Sequence, residues 1–154
     1  MNQVVASVGQ HLLADFYGVA APLLRDAGAL EALLRSAARQ AGAQVLDSRF
    51  HTFGEEDGVT GVVLLSESHV SVHTWPESGF AAIDIFMCGS ADPERALEEL
   101  ARVLRPARRQ VTRAHRGQHF EGSVPVLPGD TANGGPAMLE SSCSIGNAGA
   151  VRAR

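Results

Sequence analysis

The chain has no excess of positive charge: 13 basic against 17 acidic residues leave a formal net charge of −4. With a sequence pI near 5.8 it offers no basic field to a nucleic acid, and its one arginine cluster, Arg105, Arg108, Arg109 and Arg113, reads as a solvated edge. Cysteine is nearly missing. Cys88 and Cys143 stand on either side of a change in composition, which argues against a disulfide framework and for a reduced, cytoplasmic setting. No apolar run reaches the roughly 18 residues that suggest a membrane span. The amino-terminal MNQVVASVGQ has no basic segment leading into a signal-type apolar core. No internal repeat is visible, so neither a membrane protein nor a repeat array is expected.

What is present suits one core of ordinary size, since 45% of the 154 residues are hydrophobic and 19% charged. Residues 8–16 read as a strand broken by Gly18 and Pro22. A helix follows, capped by Asp26, with an apolar stripe of Leu30, Leu33, Leu34, Ala37, Ala38 and Ala41 ended by Gly42. Residues 45–53 form a second strand, turned by 54–58 into the run 59–68, which is expected to bend near Glu67 and Ser68 into a further strand. After Gly89, Asp92 caps and Pro93 opens a second helix, which buries Ala96, Leu97, Leu100, Ala101, Val103 and Leu104 and stops at Pro106. Residues 107–115, studded with arginine, read as an edge strand.

This order predicts an α+β fold, a two-layer sandwich of a mainly antiparallel sheet with two helices on one face. Val62, Leu64, Ala82 and Ile85 suggest an apolar second face that a second copy would cover, so a homodimer is expected. The domain spans 1–117. Residues 118–154 read as a flexible tail, because glycine and proline concentrate there without apolar periodicity.

The chemistry gathers in residues 64–89, LLSESHVSVHTWPESGFAAIDIFMCG. Period-two alternation puts His69, Ser71 and His73 on one strand face, and Trp75-Pro76-Glu77-Ser78-Gly79 turns the chain into an antiparallel partner that carries Cys88 back towards Ser68. A serine in a strand is usually only a serine, histidines on a strand face are as often hydrogen-bonded structure as catalysts, and a cysteine in an apolar run is commonly a small hydrophobe. Phe53 and Trp75 read as core. Together, however, Glu67, Ser68, His69, His73 and Cys88 supply a nucleophile, a base and a proton donor within one hairpin. A zinc site is disfavoured, because histidines four apart on a strand are about 13 Å apart and no further Cys/His cluster has ligand spacing.

The run SESHVSVHTWPESGFAAIDIFMCG resembles the processing and active-site segment of the short bacterial and archaeal S-adenosylmethionine decarboxylases. The resemblance extends from about Val8 to about Arg116. It implies a proenzyme that cuts itself between Glu67 and Ser68, turning Ser68 into a covalent pyruvoyl cofactor that forms a Schiff base with the substrate. It further implies that His73 serves self-processing, that Cys88 returns a proton to the decarboxylated carbon, and that no metal is needed. Thr60 takes the place of a serine that aids processing, Phe53 that of a ring lying against the substrate's adenine, and Glu77 belongs to the Trp-Pro-Glu segment lining the substrate site. The product would feed aminopropyl groups into spermidine and polyamine synthesis. The expected partners are S-adenosylmethionine and a second copy of the cleaved chains, with neither nucleic acid nor membrane.

Three positions depart from the family pattern: Ser78 and Phe80 stand where tyrosines are expected, and Met87 stands where threonine is. They add weight to one alternative, the same pyruvoyl chemistry on arginine or ornithine; a second alternative, of another class, is an unprocessed, non-catalytic regulatory subunit. The second is disfavoured because Ser68, His73 and Cys88 are all present.

Overall fold

The computed structural model describes residues 8–117; the expected tail, with Cys143, lies outside them. In chain order the elements are β1 (Gly9–Tyr17), α1 (Ala21–Arg25), α2 (Ala27–Gln40), β2 (Val45–Thr52), β3 (Val59–Leu65), β4 (Ser68–Trp75), β5 (Phe80–Cys88), α3 (Pro93–Leu104) and β6 (Arg108–Arg116). The six strands form one antiparallel sheet in the order β2-β3-β4-β5-β1-β6, so the first strand is inserted between β5 and the arginine-rich edge strand β6.

The local signals act as expected at the helix ends. The Asp26 carboxylate accepts from the Ala29 N–H at 2.8 Å, and Asp92 accepts from Glu94 N–H at 3.0 Å, each satisfying a donor that the first helical turn leaves open. α3 ends at Arg105, which takes the left-handed conformation (φ 47°) and donates its N–H to the Ala101 carbonyl.

The core lies between the helices and one sheet face. Leu30 and Leu34 of α2 and Leu97, Leu100 and Leu104 of α3 meet Leu12, Phe16, Val70, Val72, Ile83 and Ile85. Ile85 is therefore misassigned by the sequence reading. It is fully buried beneath the helices, and the uncovered face carries its even-numbered neighbours Asp84 and Phe86 instead. That face is mixed: Leu13, Leu64 and Trp75 are each more than 40% exposed beside histidines and Asp84.

Two further expectations are corrected and a third is sharpened. A short helix, α1, forms where only a break was expected, because Pro22 suits a first helical turn. The hydroxyl of buried Thr74 donates to the Leu24 carbonyl and accepts from the Val59 N–H, both at 2.7 Å, which ties β4 to α1 and β3. Phe53 and Trp75, read as core, are 64% and 42% exposed. Finally, the bend expected near Glu67 and Ser68 is a full reversal, a two-residue turn at Ser66-Glu67 that pairs β3 with β4.

Candidate active site

The turn sets the Glu67–Ser68 bond at the tip of the β3–β4 hairpin, just outside the pair Leu65↔Ser68. Across β4 and β5 the register runs from Trp75↔Phe80 to His69↔Phe86. Two more residues along each strand bring the level of Glu67 to that of Cys88. The Glu67 carboxylate does lie at that end of β5, 3.7 Å from where a Gly89 Cβ would stand. On the other side Cys88 pairs with Gly9 of β1. A Cβ on Gly9 would sit 2.9 Å from Cys88 Sγ and 2.7 Å from Phe86 Cε2, so the absence of a side chain there is what lets the sulfur and the ring lean over β1.

His73 belongs to the opposite end of the same face. It pairs with Thr60 of β3, and Thr60 Oγ1 lies 3.0 Å from His73 Nδ1. With Nδ1 so engaged, Nε2 is the nitrogen left to move a proton. Beside the pair is an open cavity of about 290 Å³ whose lining includes Arg49, His51, Thr60, Val62, Ser71 and His73.

Five residues of strand separate Ser68 from His73, about 17 Å, and Ser68, half-buried at the first position of β4, precedes the regular alternation that runs from His69 to Trp75. The expected cluster of nucleophile, base and proton donor therefore divides: Ser68 and Cys88 share one end of the sheet, and His73 and Thr60 share the other.

Between the ends runs a polar chain. Ser71 donates to Asp84 Oδ2 at 3.2 Å, Asp84 Oδ1 lies 3.6 Å from His11 Nε2, and Arg116 reaches His11 Nδ1 at 3.3 Å. The rings of His11, His69 and Phe86 pack mutually, with centroids 5.4 to 6.2 Å apart. Sequence reasoning missed His11, Asp84 and Arg116, which meet only because β1 is inserted between β5 and β6. The one local signal was a lone acid inside the apolar run of β5.

The softer assignments sit at the rim. Phe53 is exposed just past β2, edge-on to His51 at 5.0 Å, and Glu77 is exposed in the β4–β5 turn. Of the three departing positions, Met87 is 1% exposed on the helix side and so belongs to the core. Ser78 donates to the Trp75 carbonyl within the turn, and Phe80 stacks between Tyr17 and Trp75 with centroids 5.2 and 5.1 Å away. Among the described residues no group of three or more His, Cys, Asp or Glu could hold a metal ion, and no helix is long and apolar enough to cross a membrane.

Comparison with known proteins agrees with this geometry. Residues 10–117 match the family described as S-adenosylmethionine decarboxylase. The chain is 42% identical over 120 residues to an S-adenosylmethionine decarboxylase proenzyme of Thermotoga maritima, covering 77% of this chain and 92% of that one. It is 44% identical over 121 residues to the proenzyme of Persephonella marina, covering 78% and 86%. The crystal structure of the adenosylmethionine decarboxylase from Aquifex aeolicus superposes with a TM-score of 0.68 at 36% identity, covering 77% of this chain and 98% of that one. Matched along its whole described fold, the chain belongs to the S-adenosylmethionine decarboxylase family of enzymes.

Proposed function

We propose that the protein is a self-processing, pyruvoyl-dependent decarboxylase of S-adenosylmethionine that supplies the aminopropyl donor for spermidine synthesis in the cytoplasm, and that each of its sites is assembled from two copies of the chain. The observation that carries the second half is the division of the site. Ser68 and Cys88 lie about 17 Å along the sheet from the Thr60–His73 pair, so one chain cannot apply His73 to its own Ser68. Two copies whose uncovered faces meet about a twofold axis, running in opposite senses, set the His73 end of each against the Ser68 end of the other. An isologous contact makes both sites at once. It also covers Leu13, Leu64 and Trp75, the large apolar side chains left exposed on that face.

The residues fit the self-made cofactor. Ser68 stands directly after a tight turn, where its hydroxyl is next to the Glu67 carbonyl that it must attack. Attack exchanges the amide for an ester and frees the Ser68 amine; elimination then expels the Glu67 carboxylate and leaves a dehydroalanine, whose imine tautomer water hydrolyses to the pyruvoyl ketone with loss of ammonia, and the shift and the elimination each need a proton taken and returned. His73, steadied through Nδ1 by Thr60, does this with Nε2. The pyruvoyl group supplies a ketone that takes the substrate's amine and accepts the electrons released with carbon dioxide. A carbonyl cofactor held on lysine is excluded for this chain, because all 13 of its basic Lys/Arg positions are arginine. Cys88, leaning over Gly9 at the Ser68 end, donates the proton that replaces the carboxylate.

S-adenosylmethionine is favoured over a basic amino acid by the family match and by the position of Met87, a departure that lies in the core. The test is intact mass followed by assay. The purified protein should consist of chains 1–67 and 68–154, reactive towards hydrazine, and should release carbon dioxide from S-adenosylmethionine but not from arginine or ornithine. A single uncut mass without a reactive ketone would favour the non-catalytic subunit; release from arginine or ornithine would reassign the substrate.

A further inference from the structure

The side chain of His11 is only 15% exposed, and its Nε2 is enclosed without a hydrogen-bond partner. An enclosed polar atom of that kind asks for a reason. Its nearest acceptor is Asp84 Oδ1 at 3.6 Å, and Asp84 is steadied through its other oxygen by the Ser71 hydroxyl. At the far side of the ring, Nδ1 lies 3.3 Å from an Arg116 nitrogen. A guanidinium only donates, so Nδ1 accepts and the ring proton sits on Nε2, facing the carboxylate. A histidine with a carboxylate at one nitrogen and a lone pair at the other is arranged to take up and pass on a second proton. Arg116 covers that lone pair, but it is exposed at the end of an edge strand, where its side chain can move aside.

The register says where the proton can go. Gly9 stands opposite Cys88, and His11 is the next residue of β1 on the same face. Cys88 Sγ leans over Gly9, towards β1. Diagonal neighbours on antiparallel strands are roughly 7–8 Å apart, a gap that one water or a small side-chain movement closes between a thiol and an imidazole. The charged or titratable groups facing His11 are Asp84 from β5, Arg116 from β6 and His69 from β4, whose ring centroid is 6.2 Å away.

We propose that His11, held by Asp84, returns a proton to the Cys88 sulfur after each turnover. The inference rests on the reading that Cys88 protonates the decarboxylated carbon. Each decarboxylation then consumes one proton: the S–H bond breaks as the new C–H bond forms, and the thiolate takes a proton from the His11 imidazolium. The neutral ring regains one from water. His11 acts through Cys88, and Asp84 is a positioning residue.

The test reads the thiol directly. In a Cys143→Ser chain, which leaves Cys88 as its one cysteine, alkylation by iodoacetamide is followed from about pH 5 to 9, the range that brackets imidazole and thiol titration. A second set carries Ser68→Ala, so that the result does not depend on processing. His11→Gln should move the alkylation curve to higher pH in both sets, because the thiolate loses a cationic neighbour, and Asp84→Asn should move it the same way by less. His69→Gln should leave it in place. In the self-cleaved enzyme His11→Gln should lower kcat with KM little changed, leave the cleavage rate unaltered, and raise the fraction of sites inactivated per turnover. Should His11→Gln not fold, Asp84→Asn decides alone. An alkylation curve that neither His11→Gln nor Asp84→Asn moves, or that His69→Gln moves as far, would overturn the proposal. A wild type that does not decarboxylate S-adenosylmethionine would sink the proposed function, while the alkylation curves would still decide whether His11 and Cys88 exchange charge.

Discussion

At one end of the uncovered sheet face, Cys88 and the start of β4 gather around Gly9; at the other, Thr60 and His73 share a hydrogen bond beside a cavity. Both ends are built on the same strands, β4 above all, and in the proposed reading they carry different parts of one reaction: the Ser68 end the bond to be cut and the acid used after it is cut, the His73 end a base with its orienting hydroxyl. A strand is rigid and extended, so it fixes the separation of its own residues, and only a second strand running the other way from another copy can bring its ends together.

The comparison can be broken by removing each end in turn. The largest effect is expected from Ser68→Ala, which should abolish cleavage, leaving a single uncut mass after prolonged incubation. Next comes Cys88→Ala. It should still cleave to a useful extent but turn over more slowly by on the order of 10² to 10⁴, the usual contribution of a general acid. Its pyruvoyl mass should be replaced by that of an alanine-like amine during exposure to substrate. Normal turnover by this variant would remove Cys88 from the reaction.

Gly9→Ala sharpens the contrast without touching a reacting group. The new methyl competes with Cys88 Sγ and Phe86 Cε2 for space, so kcat should fall while the cleavage rate stays near normal; an equal loss in both would show that the substitution disturbs the whole sheet. Thr60→Val acts at the other end. Losing one hydrogen bond worth about 1 kcal/mol should slow cleavage roughly fivefold, and Thr60→Ser should restore it. Far from either end, Glu99→Gln should do least. The neighbouring Arg102 holds the Glu99 carboxyl below the usual carboxylate range. Any stability this lends is present above the ordinary glutamate pKa and lost as pH falls through the depressed folded value, so wild type and variant should melt alike in acid and differ only slightly at neutral pH. A difference that grew on acidification would reverse that sign.

Much of this was legible in the residues. Asp26 and Asp92 announced their helices because an N-cap is a local device, and the alternation in β4 put His69, Ser71 and His73 on a common face as expected. What failed was whatever depends on strand order. The polar chain of Ser71, Asp84, His11 and Arg116 spans four strands and exists only because β1, first in sequence, lies between β5 and β6 in the sheet. Ile85 misled because an apolar strand with alternating burial does not declare which face is covered. The closeness of His73 to Ser68 in sequence misled for a plainer reason: five residues span a short stretch of helix but a long stretch of strand.

The division of the site between copies is tested most directly by mixing two defective chains. Ser68→Ala has nothing to cut, and His73→Ala should stay uncut alone or cleave slowly. In a mixed dimer, the intact Ser68 of the second chain meets the intact His73 of the first. The two proteins are co-refolded and followed by intact mass. Cleavage of the His73→Ala chain at close to the wild-type rate, with no change in the Ser68→Ala chain, is the predicted result. Cleavage of the His73→Ala chain no faster in the mixture than alone would contradict a site shared by two copies.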